Sequence, residues 1–280
     1  MNEIKRNKYT TMRVNAETRY IISTSGRISS AKRYQKLLQE ILNLNIAYIP
    51  VTSYADDGKI KPEDFTNLIR GLGAIGGAIS KDIKHTIISY LDEVDPLAKQ
   101  VQSVNTILRE GEKLIGYNTD AFGFESAMKK GIKTTGITIK TAVIYGYGGV
   151  FNVAYHILTS MGIKVYVTGR NPEEVDKKNK EYNLSRYLGT TIDLFVNATP
   201  ASNYPLNQAQ GFKKAIQGCR LVFDHEMPGT YLRKYCEERH IHYIPGTAMY
   251  YPQMYKQWAI FLKDYVKYDD LPKLISLADR

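Results

Sequence analysis

Cysteine is scarce in this 280-residue chain: Cys219 and Cys236 are the only two. Their spacing fits neither a zinc motif nor a redox pair, so no metal is implied and both thiols are expected to be reduced and structural. Long apolar runs are missing as well, which excludes a helix that spans a bilayer. The polar, basic start from Met1 to Arg13 lacks the apolar segment of a secretory signal, and a cytoplasmic location is the expectation. There is no internal repeat and no low-complexity linker. The net charge of +10 comes from basic residues spread along the chain with acids among them. That pattern does not indicate nucleic acid, although it helps to collect an anionic cofactor and substrate. The 22 tyrosines form no RNA-binding motif. With 43% hydrophobic residues, the length suffices for two modest domains.

The most informative stretch is Thr141 to Arg170. Ala142 to Tyr145 reads as a buried parallel strand, and Gly146, Gly148 and Gly149 follow where the chain must turn into a helix. Glycines there let the backbone approach a pyrophosphate, which meets the free N–H groups and positive dipole end of the new helix. That helix carries Val153, Ile157, Leu158 and Met161 and stops at Gly162, a C′ residue, before a strand from Val165 to Thr168. An acidic residue at the end of this second strand would hold the ribose hydroxyls of NAD. This chain has Gly169, Arg170 and Asn171 instead, and a guanidinium there pairs with a 2′-phosphate, so NADP is favoured. The third small position of the glycine pattern falls on Phe151, whose ring must alter how closely helix and strand pack.

Ahead of this unit, residues 1–17 are polar and expected to be partly disordered. Arg19 to Thr24 reads as a strand, and Ser29 or Ser30 is expected to cap a helix with Tyr34, Leu37, Leu38, Ile41 and Leu42 on one face. Ile46 to Val51 is a second strand, and Pro62 opens a helix with Phe65, Leu68, Ile69 and Leu72 inward. Ile75 to Ser80 is a third strand, leading into a helix whose first turn holds Lys84. This is a βαβα pattern, typical of a parallel sheet. Ser103 to Gly116 reads as a hairpin, and a helix from Ala121 to Lys130 ends at Gly131, with Asp120 a possible N-cap. His240 and His242 fall on one strand face, without the further ligands a metal site needs.

The order of motifs resembles the shikimate dehydrogenase family. Where that family carries N-V-T-x-P-x-K, V-N-T, G-x-N-T-D-G and G-A-G-G, this chain has A-I-S-K-D-I-K ending at Lys84 and V-N-T at Val104 to Thr106. G-Y-N-T-D-A follows at Gly116 to Ala121, and G-Y-G-G at Gly146 to Gly149. Asn197-Ala198-Thr199-Pro200 matches the family's N-A-T-P, Arg170 stands where the family has its 2′-phosphate arginine, and Gly246 to Gln253 is similar to G-x-x-M-L-x-x-Q. The resemblance runs from about Arg19 to Gln253 and rests on the ordered set.

The resemblance implies an α/β fold of two domains. Residues 1–116, completed by C-terminal helices over 250–280, would form a substrate-binding catalytic domain, and residues 117–249 a Rossmann NADP-binding domain, with chemistry in the cleft between them. Strands are expected at Asp193 to Val196, Val222 to Asp224 and His242 to Ile244, with a returning helix from Tyr250 to Val266. The implied reaction is the reversible, NADPH-dependent reduction of 3-dehydroshikimate to shikimate in chorismate and aromatic amino-acid biosynthesis. Lys84 and Asp120 are the proton-transfer candidates, Asn105 and Gln253 the hydroxyl ligands, and Ser29 or Ser30 the carboxylate ligand. Gly146, Gly148, Gly149, Arg170, Thr199 and Gly246 would hold the cofactor. A small-molecule substrate, no nucleic acid, no membrane and a monomer or homodimer are expected.

Departures gather on the substrate side. The family's S-x-S-P is reduced to Ser29-Ser30-Ala31, Ala78 replaces an asparagine, Asp82 a proline and Met227 a tyrosine. Hydroxyl recognition relies on paired groups, so their loss would weaken or redirect it. Two further readings follow: a paralogous NAD(P)-dependent dehydrogenase of quinate or another cyclic hydroxy acid, and a non-catalytic nucleotide-binding regulator.

Overall fold

The computed structural model describes residues 12–24, 28–52, 59–80, 83–208, 211–227 and 230–279, without the side chains of Ile28 and Ser29. It is an α/β protein that divides into two compact units, residues 1–119 with 255–280, and residues 120–254. The chain passes between them at Thr119–Asp120 and again at Met254–Tyr255.

The first unit opens with β1 (Arg19–Ser23), α1 (Ile28–Gln35), β2 (Ile46–Pro50), α2 (Pro62–Gly71) and β3 (Gly76–Ala78). It continues with β4 (Glu93–Val94), α3 (Pro96–Gln100), β5 (Thr106–Glu110) and β6 (Lys113–Tyr117), from which α4 (Thr119–Thr135) departs. The sheet order is β2-β1-β3-β5-β6-β4. β1 pairs in parallel with β2 and β3, while β5 runs antiparallel to both β3 and β6. The βαβα start therefore makes a parallel half sheet, the hairpin turning at Gly111 adds the antiparallel strands, and β4 pairs in parallel with β6 at the edge.

The second unit contains β7 (Thr141–Tyr145), α5 (Gly149–Ser160), β8 (Lys164–Thr168), α6 (Pro172–Glu181), β9 (Leu194–Asn197) and α7 (Phe212–Ile216). Then come β10 (Leu221–Asp224), α8 (Thr230–Glu238), β11 (His242–Ile244) and α9 (Thr247–Phe261). All its strand pairings are parallel, in the order β11-β10-β9-β7-β8. The chain steps from β7 to β8 on one side and then crosses to β9 on the other. The carboxyl ends of β7 and β9 thus flank the switch point, where doubly wound sheets open a crevice. Asp193 ties the opposite ends together, accepting from the N–H groups of Lys140 (2.8 Å) and Thr141 (3.0 Å) and from Arg220 (2.7 Å).

Several local expectations are corrected. Helix α1 begins at Ile28, so Ser29 and Ser30 lie inside its first turn rather than capping it, and the helix runs on as a π-helical stretch from Lys36 to Ile41. Leu72 is 43% exposed at the end of α2, not inward. Lys84 sits in a turn that leads into a short 3-10 helix, Thr86–Tyr90, not in an α-helix. Helix α4 passes straight through Gly131, whose missing Cβ makes room for Ile244, and runs out before Gly136, at φ +67°. Asp120 is accordingly a first-turn residue of α4 and not its cap. His240 lies in a left-handed turn ahead of β11, so it shares no strand face with His242. The polar start is partly tied down: the Asn15 side-chain oxygen Oδ1 accepts from the N–H of Glu17 (2.9 Å) and from the Asn45 amide (3.0 Å), while residues 1–11 lie outside the described residues.

Helix α9 starts at Thr247, ahead of the expected Tyr250, and ends at Phe261. Its second half belongs to the first unit, where Trp258 is fully buried beside Tyr34 and Tyr48, at ring separations of 4.5 and 6.0 Å. The last helix, α10 (Leu271–Ala278), packs there too, and Asp279 pairs with Arg33 of α1. The carboxyl-terminal segment is therefore part of this core. Trp258→Ala should lower unfolding free energy by about 3–5 kcal/mol through the cavity left behind. Leu72→Ala, at an exposed site, should stay within about 0.5 kcal/mol. Denaturant midpoints of the two variants check this, and equal values would contradict it.

Candidate functional site

In the second unit the carboxyl edge of the sheet is built around Gly146. Its φ of +118° suits glycine alone, and a Cβ there would stand 2.6 Å from Thr199 Cγ2 and 3.2 Å from the Ala198 carbonyl oxygen. The turn after β7 is thus pressed onto the turn after β9, and the Gly146 N–H also donates to Thr168 at the end of β8 (2.9 Å). Gly148 is the N-cap of α5 with no side chain capping it, and space around its Cα is open. Gly149 begins the helix. Backbone N–H groups at a bare, glycine-lined helix start suit a phosphate. Arg170 is exposed just past β8, and Asn171 caps α6 by accepting from the Glu173 N–H (3.0 Å).

Phe151 does not spoil this turn. Its ring is fully buried, stacked on Tyr155 at 5.9 Å and edge-on to Tyr182 at 5.3 Å, so it is absorbed by packing against α6.

The Thr199 turn is held from below by a buried polar network. Asn197 accepts from the Thr199 N–H (3.1 Å) and hydroxyl (2.8 Å), and its amide donates to the Thr199 carbonyl (2.9 Å) and to Asp224 (2.8 Å). The Asp224 carboxylate is fully buried; it also accepts from Ser202 (3.1 Å), the Glu226 N–H (3.1 Å) and the Tyr243 hydroxyl (3.0 Å). Burial pushes its pKa up, and the donated hydrogen bonds offset only part of that. Gly246 is buried against the Asp224 and His225 carbonyls. Asn197, Ser202 and Tyr243 were not assigned from sequence as a group, because nothing in their spacing reveals that β9, the 3-10 turn after it and β11 converge on one carboxylate.

Asp120 and Gln253 are brought near one another within this unit. Gly123 stands one turn after Asp120 on α4, and a Cβ there would come within 2.5 Å of the Met249 carbonyl oxygen and 2.7 Å of Gln253 Cβ. Residues three apart share a helix face, so this close crossing sets Gln253 beside the turn that carries Asp120.

In the first unit the carboxyl ends of β1 and β3 hold a second polar group. The hydroxyls of Thr24 and Ser80 are 3.1 Å apart, and the Ser80 N–H donates to Thr24 Oγ1 (2.8 Å). The neighbouring Ile79 N–H donates to the carbonyl of Asn105 (2.8 Å), and the Val104 N–H donates to that of Lys84 (2.8 Å). Lys84, Ser80 and Asn105 are thereby gathered at one edge. The Asn105 side chain is buried; it accepts from the Thr119 N–H (2.9 Å) and donates to the Thr119 hydroxyl (3.0 Å), fixing the start of α4 one residue before Asp120. Thr24 and Ser80 went unassigned because two hydroxyls so far apart in sequence carry no shared motif. Ser30 is half-buried in α1; the side chain of Ser29, like all of Asp82, lies outside the described residues.

Among the described residues no group of His, Cys, Asp and Glu could hold a metal, and no helix is long and apolar enough to cross a membrane. Cys219 and Cys236 are buried free thiols, each pushed up to about 12 by burial. A cavity of about 630 Å³, lined by Lys213, Lys214, Cys219, Tyr235 and Arg239 among others, opens near the amino ends of β10 and β11, away from every assigned residue of this unit.

No family model matches the chain. It is 33% identical over 155 residues to the NADP(+) shikimate dehydrogenase of a Bacillus cereus strain, covering 54% of this chain and 52% of that protein. The chain thus spans about half the length of the curated relatives it matches. Among solved structures, shikimate dehydrogenase from Aquifex aeolicus shares 23% identity with a TM-score of 0.71, over 96% of this chain and all of that one. Shikimate 5-dehydrogenase from Thermus thermophilus in complex with NADP(H) and shikimate shares 21% identity with a TM-score of 0.69, over 93% and 99%. The fold is that of these dehydrogenases, with a Rossmann-type second unit.

Asp224 gives a pH test of the network. Its folded pKa is raised, so its contribution to stability is full below the unfolded value of about 3.9 and is lost as pH rises through the folded value. Asp224→Asn keeps the shape without titrating. The stability of the unaltered chain relative to this variant should fall as pH rises from about 4, read from denaturant midpoints across pH. A difference that grows with pH would contradict burial as the dominant cause.

Proposed function

We propose that this chain is a divergent, NADP-dependent shikimate dehydrogenase, catalysing the reversible reduction of 3-dehydroshikimate to shikimate in the biosynthesis of chorismate and the aromatic amino acids. The observation that carries this reading is the similarity to NADP(+) shikimate dehydrogenases over half the chain, combined with their fold over nearly all of it. Residues 1–116 with 250–280 are assigned to the substrate and residues 117–249 to NADP. A cytoplasmic location and a monomer or homodimer belong to the same reading.

The site residues fit the cofactor. The open space around Gly148 and the bare start of α5 suit a pyrophosphate, and Arg170 suits a 2′-phosphate. Gly146, Gly148 and Gly149 receive the phosphates, with Thr199 and Gly246 completing the seat. When bound, the nicotinamide supplies or accepts the hydride. The protein must then hold the ring carbonyl and move one proton. Lys84 and Asp120 are assigned to that transfer: an ammonium polarises the carbonyl and gives its proton as the alkoxide develops. Asn105 and Gln253 are assigned to substrate hydroxyls, and Ser29 or Ser30 to the carboxylate.

The altered serine segment motivates a second reading, in which quinate or another cyclic hydroxy acid replaces shikimate. A regulator without catalysis has weaker support, since Phe151 is packed away from the glycine turn.

NADPH absorbance should rise when the purified chain meets shikimate and NADP⁺. Turnover of quinate alone would replace shikimate as substrate, and NADP⁺ binding without any turnover would favour the regulator. Lys84→Ala should cut kcat by about 10²–10⁴ with NADP⁺ affinity nearly unchanged; an equally active variant would remove Lys84 from the mechanism. Arg170→Ala should weaken NADP⁺ about tenfold to a hundredfold while NAD⁺ changes little, as expected for a lost charged hydrogen bond. Equal losses for the two would refute the phosphate assignment.

A further inference from the structure

We propose that Tyr147 is a specificity-determining residue for the dinucleotide: its ring, seated on Gly169, presents the phenol beside Arg170 so that both groups bind the adenosine 2′-phosphate. The inference rests on the nucleotide reading above and adds a residue to it.

Tyr147 is the side chain between the two glycines of the turn after β7. Gly169 is the first residue past β8, the strand that pairs with β7 through Tyr145 and Thr168. A Cβ on Gly169 would lie 2.9 Å from Cε1 and 3.1 Å from Cδ1 of the Tyr147 ring, closer than side chains tolerate. Val175 Cγ2, at 3.6 Å, is in ordinary contact. The ring therefore rests directly on the Gly169 backbone, and the glycine is the seat that admits it. That seat is rigid, because the Gly146 N–H donates to the Thr168 carbonyl and locks the two strand ends together.

Arg170 follows the seat in sequence. Burial is the main influence raising the pKa of the Tyr145 hydroxyl, with the Arg170 charge drawing it down and the Tyr147 phenol pushing it up. Tyr147 is half-exposed and Arg170 exposed, leaving both within reach of solvent and ligand. A phenol O–H and a guanidinium are both donors to a phosphate oxygen, and a ring already held in place loses little freedom on binding. NAD⁺ offers only a ribose hydroxyl at this point. The phenol should therefore discriminate between the two cofactors, whereas a ring that stacked on adenine would help both equally.

The test is calorimetric titration of NADP⁺, NAD⁺, 2′,5′-ADP and 5′-AMP into the unaltered chain, Tyr147→Phe, Gly169→Ala and the double variant, with thermal melts of each. Tyr147→Phe should weaken NADP⁺ and 2′,5′-ADP about tenfold, as expected for one charge-assisted hydrogen bond, with NAD⁺, 5′-AMP and the melt nearly unchanged. Gly169→Ala should displace the ring and produce the same selective loss, and the double variant should lose no more than either alone. An equal loss for NAD⁺ and NADP⁺, or none, would overturn the inference while leaving the dinucleotide site intact. Failure of the unaltered chain to bind either dinucleotide would overturn the site itself.

Discussion

The contact between the turn after β7 and the turn after β9 is the constraint on which the nucleotide end depends. Gly146 can approach Thr199 and Ala198 only because it has no side chain and adopts a φ of +118°. That approach would be idle if the Thr199 turn were loose. Asn197 holds it with three hydrogen bonds and is itself held by Asp224, which gathers donors from β9, from the 3-10 turn after it and from β11. A carboxylate buried this deeply costs stability unless its oxygens are satisfied. Here that cost is offset only in part, by a set of bonds whose effect is to fix one surface loop. The network is best understood as positioning, since neither Asn197 nor Asp224 is exposed to a ligand.

The first unit repeats the logic with different chemistry. The edge that carries Lys84 is drawn together by backbone bonds from Ile79 to Asn105 and from Val104 to Lys84, so a short parallel strand and a hairpin share one polar margin. Asn105 then clamps Thr119, which fixes where α4 begins. From there the close crossing of α4 and α9 at Gly123 sets the neighbourhood of Asp120 and Gln253. Lys84, Asn105 and the start of α4 thus sit on segments tied together by hydrogen bonds.

Strands and their order of type were legible because buried parallel strands write continuous apolar runs, as at Ala142 to Tyr145, and because glycine and proline punctuate them. Helix limits were less so. Gly131 read as a stop, yet it is a packing glycine inside α4, and sequence alone does not separate a glycine that ends a helix from one that admits Ile244. Ser29, Ser30 and Asp120 read as caps from residue type, while the helices start earlier and leave all three inside the first turn. Lys84 was legible as a residue of interest only through neighbouring motifs, and its turn was not, since short 3-10 segments carry no apolar period. The Asp224 network was invisible for a physical reason: its members are far apart in sequence and meet only when the sheet is assembled.

The most direct measurement is NADP⁺ affinity of Gly146→Ala, taken with its thermal melt. A methyl group at that position has nowhere to go unless the two turns separate, so the variant should still unfold cooperatively, at a lower temperature, and should bind NADP⁺ at least about a hundredfold more weakly, the scale of a misplaced phosphate seat. A variant that folds and binds NADP⁺ as tightly as the unaltered chain would show that the nucleotide does not lie on this turn, and the account built on it would be wrong.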